Sequence, residues 1–240
     1  AQEAALFDTR DAWWYIERTP LGRNRRGSQG PGLYLADNPP FGAIFTYHLA
    51  EGYKTREEQR REQEKSAIAA SEDVAFPDWD AIEAEQRQPE PMVLLTVRDS
   101  EGNVVRRLEG PASAGLHRVA WDLRFPAPNA LGVSGGWGEP DGFMVMPGRY
   151  TVELAKRVEG EVTQLAEPRD FEVVRMRTGA LEGAEPAETV AFWKRLSDMM
   201  RKTSAAGQMI DEAHLVRTFH GGEAVPERRV FGQRLQLLQV

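Results

Sequence analysis

From Met92 onward the hydrophobic positions recur with a period of two. Val93, Leu95 and Val97 fall on one side of an extended segment, because successive side chains of a strand point to opposite faces. Asp99-Ser100-Glu101-Gly102-Asn103 supplies a hairpin turn, and Val104 to Leu108 is the return strand. Gly115 opens a further strand, with His117, Val119 and Trp121 on one face and Arg118, Ala120 and Asp122 on the other. Pro147-Gly148 then turns the chain into Arg149 to Leu154, in which Tyr150, Val152 and Leu154 alternate. A turn at Glu159-Gly160 and the stretch Asp170 to Val174 complete the series. Upstream, Gly42 to Leu49 has the aromatic and β-branched content of a strand, and the prolines of Asn38-Pro39-Pro40 make the residues before it a connection. Short strands with turns every 8 to 15 residues predict a mainly β, antiparallel sandwich. Its expected core contains Leu95, Val97, Val119, Trp121, Tyr150, Val152 and Leu154.

Two stretches break this alternation. Thr55 and Glu58 have the spacing of a capping box before a run of good helix formers, and Pro77-Asp78-Trp79-Asp80-Ala81-Ile82 reads as the start of a second short helix with Trp79 and Ile82 on one face. Residues 55 to 88 are therefore expected to be a helical insertion between strands. From Pro186 to about His220, the residues Phe192, Leu196, Met199, Thr203, Ala206, Ile210 and Ala213 follow spacings of four and three. That is the stripe of a helix packing against another helix, either the last 15 residues or something outside the chain.

Composition narrows the function classes. The 240 residues, 41% of them hydrophobic, suffice for a core, while a net charge of −7 argues against a binder of phosphate backbones. No apolar run reaches the roughly 18 residues that cross a bilayer. The absence of cysteine rules out disulfides, thiolate zinc sites and a cysteine nucleophile. Neither end carries the signals of a natural terminus, so the chain is expected to be a fragment: Ala1-Gln2-Glu3 has no initiator methionine or export signal, and Arg234 to Val240 is apolar-rich without a closing turn.

Candidate chemistry is sparse. Gly132-Val133-Ser134-Gly135-Gly136 has the letters of a nucleophile elbow, but it sits in a glycine- and proline-rich stretch with no helix behind it and reads as a sandwich loop. His48, His117, His214 and His220 lack metal-ligand spacing, and His117, on the inferred core face, is expected to be packed and hydrogen-bonded. Asp78 with Asp80 suits a helix start, and Asp99 with Glu101 suits a turn, which accounts for both pairs without catalysis. No catalytic residue, metal site or cofactor is assigned. A binding surface is the remaining candidate: Trp13, Trp14 and Tyr15, followed by Arg18, Arg23, Arg25 and Arg26, combine rings that stack on sugars with guanidinium groups that pair carboxylates.

Three blocks in order, Val97 to Arg106, Gly115 to Asp122 and Pro147 to Val152, resemble the immunoglobulin-like module of the flagellar hook-capping type over about a quarter of the chain. Asn38 to Tyr47, the charged helix after Thr55, Pro77-Asp78-Trp79 and Trp121-Asp122-Leu123-Arg124 resemble the C-terminal region of large bacterial proteins with sortilin-like propellers, often named glycosyl hydrolases of the BNR-repeat kind. The resemblance implies an exported protein with a β-propeller preceding this chain. It divides the chain into a propeller-to-sandwich connection over 1–41, an immunoglobulin-like sandwich over 42–178 and a truncated helical tail over 179–240. No Ser-x-Asp-x-Gly-x-x-Trp repeat occurs here, so no propeller function transfers to any residue of the chain. The expected role is a non-catalytic accessory module whose partner is that propeller, with nucleic acid excluded and no membrane span. The alternatives are part of a hydrolase with its active site in the propeller, or a module that binds carbohydrate or peptide.

Overall fold

A computed structural model describes residues 3–16, 39–74, 76–128, 142–177 and 183–220, with side chains through 213. The chain divides into two compact units, one of Ala1–Leu123 with Pro147–Leu181 and the other of Arg124–Met146 with Glu182–Val240.

The first unit is mainly β. Strands β1 (Ala4–Leu6), β3 (Ala43–Leu49) and β6 (Gly115–Trp121) form a three-stranded sheet in the order β1-β3-β6. A larger sheet has the order β2-β9-β7-β4-β5, built from β2 (Ala12–Trp14), β4 (Met92–Asp99), β5 (Val104–Gly110), β7 (Gly148–Val158) and β9 (Arg169–Arg175), with β8 (Glu161–Gln164) hairpinned onto β7. The alternation read from sequence sets the inward faces: Val93, Leu95 and Val97 of β4 and Tyr150, Val152 and Leu154 of β7 are buried. Aromatic rings from both sheets meet in one cluster. Phe45 of β3 lies 5.4 Å from Phe171 of β9, and Trp121 of β6 lies 5.6 Å from Tyr150 and 6.3 Å from Phe171, all edge to face. Val119 shares the face of Trp121 but is only half-buried, since β6 is the edge strand of its sheet.

The antiparallel expectation needs one correction. β2 runs parallel to β9, with Ala12, Trp13 and Trp14 opposite Val173, Val174 and Arg175. The N-terminal chain contributes β1 to the small sheet and, after five residues, β2 to the edge of the large one. That crossing is held by Arg169, whose Nε donates to Leu6 O at 3.1 Å, and by Asp11, whose Oδ1 accepts from Glu172 N at 3.1 Å. Strands thus lie within the stretch that the sequence reading made a connection.

Between β3 and β4 stand α1 (Arg56–Ala69) and α2 (Trp79–Arg87). Both caps form as the residue types dictate: Thr55 Oγ1 accepts from Glu58 N while Glu58 Oε2 accepts from Thr55 N, and Asp78 Oδ1 accepts from Ala81 N. Neither helix has a buried residue. They are fastened by charge, with Arg60 bidentate to Glu85 at 2.8 and 2.9 Å and Arg56 on Glu159 of the β7–β8 turn. Because neither helix places a residue in the core and Ile82 is only half-buried, replacing residues 54–88 with a short Gly-Ser linker is expected to preserve one cooperative unfolding transition; loop entropy grows only about 0.6 kcal/mol per doubling of length. Loss of that transition in a thermal melt would mean that the sandwich depends on the insertion for its stability.

In the second unit, the stretch expected to be a sandwich loop begins and ends in pairing. Phe125 N donates to Phe143 O at 3.0 Å, Arg124 bridges Met144, and the Phe125 and Phe143 rings stack at 4.5 Å. These rings meet helix α3 (Pro186–His220), with Trp193 stacked 6.3 Å from Phe143 and Lys194 Nζ 5.2 Å from the Phe125 ring. The α3 stripe is mostly exposed. Phe192, Met199 and Ile210 face outward, whereas Ser197 is 6% exposed.

Candidate binding surface

The consecutive aromatics Trp13 and Trp14 of β2 and Tyr15 just after it do not make one platform, since neighbouring residues of an extended chain face opposite ways. Trp13 lies opposite Val174 and is 56% exposed. Trp14 lies opposite Arg175, whose guanidinium sits 5.8 Å from the indole ring, close enough for a cation–π contact. Tyr15 turns onto Phe41, edge to face at 4.9 Å, and Ile16 beyond it is 79% exposed. The result is an apolar margin of Trp13, Tyr15, Ile16 and Phe41 along the edge of the larger sheet. Arg18, Arg23, Arg25 and Arg26 lie outside the described residues.

Arg175 and Phe41 are the members of this surface that the sequence reading did not pair with the aromatics. For Arg175 the signal lies in the parallel β2–β9 register, which joins residues 161 positions apart and has no local trace. Phe41 follows Pro39-Pro40, where the chain has no period to show which way the ring points.

The chain matches no protein-family model, and no curated protein matches it. Ser134 lies outside the described residues, as do the side chains of His214 and His220. His117 is half-buried, its Nε2 2.7 Å from Ser113 O and its ring 5.2 Å from Tyr47; His48 is exposed. Tyr47 Oη donates to Pro111 O at 2.7 Å, and burial pushes its phenol up to about 12. Asp99 Oδ1 accepts from the backbone of Glu101 and Asn103, closing the hairpin turn, while Asp78 caps α2. Both carboxylates are occupied by structural bonds. Among the described residues no three His, Asp or Glu side chains gather where a metal could sit, and no helix is long and apolar enough to cross a membrane.

A polar triad of the first unit is also structural. Lys156 Nζ and Tyr53 Oη both donate to Glu3 Oε1, at 2.6 and 3.0 Å, and Lys156 lies 4.8 Å from the Tyr53 ring centre. Lys156 first, and then Tyr53, hold the Glu3 carboxyl below the usual carboxylate range, while burial and then Glu3 push the Tyr53 phenol upward. This triad ties the residue before β1 to β7 and to the start of the helical insertion, with each partner satisfied by the others. A concavity of about 620 Å³ runs along α1, lined by Gln59, Glu62, Ser66 and Glu72 among others. Its hydroxyl, Ser66 Oγ, already donates to Glu62 O within the helix. Among the described residues Ser66 Oγ makes no hydrogen bond to a carboxylate or an imidazole.

Proposed function

We propose that the chain is a non-catalytic accessory module, an immunoglobulin-like domain with a helical insertion and a helical tail, which braces a β-propeller of the same exported parent protein. The strand order carries the immunoglobulin-like part. With β1 and β2 as two halves of a divided first strand, the sheets β1-β3-β6 and β2-β9-β7-β4-β5 correspond to A-B-E and A′-G-F-C-C′. Tyr150 near the start of β7 supports the same reading, since such domains carry a tyrosine near the start of strand F. The bracing part rests on the β2 margin, where Trp13, Tyr15 and Ile16 are exposed beside a short sheet edge and the half-buried Phe41 backs Tyr15.

The chain is expected to co-elute with the separately expressed propeller, and Trp13→Ala with Tyr15→Ala to weaken that association more than about tenfold, as for aromatic anchors at an interface. Co-elution that ignores both substitutions would remove this surface from the contact. The purified chain should also give only background turnover of ester and aryl-glycoside substrates, with Ser134→Ala indistinguishable from the parent. Turnover that falls with Ser134→Ala, or with any single Asp or Glu substitution, would place an active site in this chain.

Exposure of Trp13 also supports a second reading, a module that stacks a sugar ring. Saturable change of tryptophan emission on titration with oligosaccharides, abolished by Trp13→Ala, would establish it in place of propeller docking.

A further inference from the structure

The helical insertion carries an exposed ridge that neither the fold nor the β2 margin uses. Phe76 and Trp79 are 82% and 81% exposed, and Val74 and Ile68 beside them in sequence are exposed as well. Four such side chains within twelve residues are more than scattered surface hydrophobics. The helix that begins at Trp79 is set in place by the Asp78 cap and by the Arg60–Glu85 fork. The backbone at Trp79 is thereby fixed in advance, so binding there has to order the side chain but not the chain that carries it.

Charge identifies what the ridge can receive. From Ser66 to Gln86 there is no basic residue and there are six acids: Glu72, Asp73, Asp78, Asp80, Glu83 and Glu85. Glu83 and Glu85 are paired with Arg87 and Arg60, and Asp78 is used in its cap. Glu72, Asp73 and Asp80 are exposed and make no ion pair among the described residues. The same chain carries the complement. Residues 18–36 contain four arginines, Arg18, Arg23, Arg25 and Arg26, and no acid. Guanidinium groups are suited to both halves of the ridge, pairing carboxylates and lying on the faces of indole and phenyl rings.

We propose that the ridge of Val74, Phe76 and Trp79 receives the arginine-rich segment around Arg23, Arg25 and Arg26 of a second copy of this chain. The exposed rings stack beneath the guanidinium groups, and Glu72, Asp73 and Asp80 neutralise them. Each copy carries both a ridge and a segment, so a two-fold dimer would make the contact twice, and a discrete dimer rather than an open series of larger species is the expected assembly.

The test uses the full chain and a synthetic peptide of residues 17–30, which contains no tryptophan. Sedimentation of the chain should show a concentration-dependent dimer that weakens several-fold between low and high salt. The peptide should compete with the dimer and give a saturable change in tryptophan emission. Trp79→Ala and Phe76→Ala, both at exposed positions, should each weaken peptide binding and dimer about tenfold or more without moving the unfolding midpoint. Reversing Asp73 and Asp80 to arginine should abolish binding of the natural peptide and permit binding of a peptide with Arg23→Glu, Arg25→Glu and Arg26→Glu. A chain that stays monomeric at every concentration overturns the second-copy assignment, and so does a dimer indifferent to Trp79→Ala or to the charge exchange. The catalytic and propeller assays leave this result untouched, because none of these substitutions alters the β2 margin.

Discussion

Trp121→Ala should cost the first unit about 3–5 kcal/mol, the range for truncating a fully buried aromatic. Trp121 is completely buried, and its ring is one of four that join the two sheets, in edge-to-face contact with Tyr150 and Phe171. Truncation removes apolar burial and leaves a cavity that the neighbours can fill only by tilting out of their own contacts, since Phe171 is also engaged by Phe45. The lost surface lies between strands that are far apart in sequence, so the unfolded chain gains nothing to offset it. Chemical denaturation of the variant and the parent gives the difference directly. A loss below about 1 kcal/mol would mean that the β6 register places Trp121 outside the shared core.

Gly42→Ala should destabilise by a similar amount, about 2–6 kcal/mol, for a different reason. Gly42 has φ of +103°, a region that side chains other than hydrogen strongly disfavour, and an added Cβ would lie 1.8 Å from Trp121 O. The obstacle is backbone, so no rotamer change relieves it. Nor can the two strands separate, because the next residue, Ala43, is registered opposite Trp121 at the start of the β3–β6 ladder. Gly102 supplies the control. It also has positive φ, +81°, but a Cβ there meets nothing within 4 Å, so Gly102→Ala should show only the conformational term of about 1–2 kcal/mol. Equal losses at the two sites in urea unfolding would contradict the steric account of Gly42.

These two positions show different depths of legibility. Trp121 announces itself, because its strand alternates and the face shared with His117 and Val119 can be chosen before any partner is known. Gly42 does not. Its requirement arises from the carbonyl of a residue 79 positions away, and a glycine before a strand has many ordinary uses. The candidate surface divides in the same way. The cluster of Trp13, Trp14 and Tyr15 is visible as letters, but the separation of Trp13 from Trp14, the placement of Arg175 on Trp14 and the closure of Tyr15 on Phe41 depend on the β2 edge position.

The sequence by itself determined what local periodicity and local hydrogen bonding can determine. The inward faces of β4 and β7, the Asp99 turn and the Thr55–Glu58 and Asp78 caps all rest on residues within a few positions of one another, and each appears as its residue types require. Tertiary structure alone decided the rest. β1 and β2, with three residues each, are too short to display a period, and they are strands only because β3 and β9 offer them hydrogen bonds. Helix α3 shows the limit from the other side: its apolar stripe is clear in the sequence, yet Ile210 on that stripe is 66% exposed while Ser197 is buried. A helical pattern states which residues share a face, but which face is covered depends on the surfaces the rest of the chain brings against it.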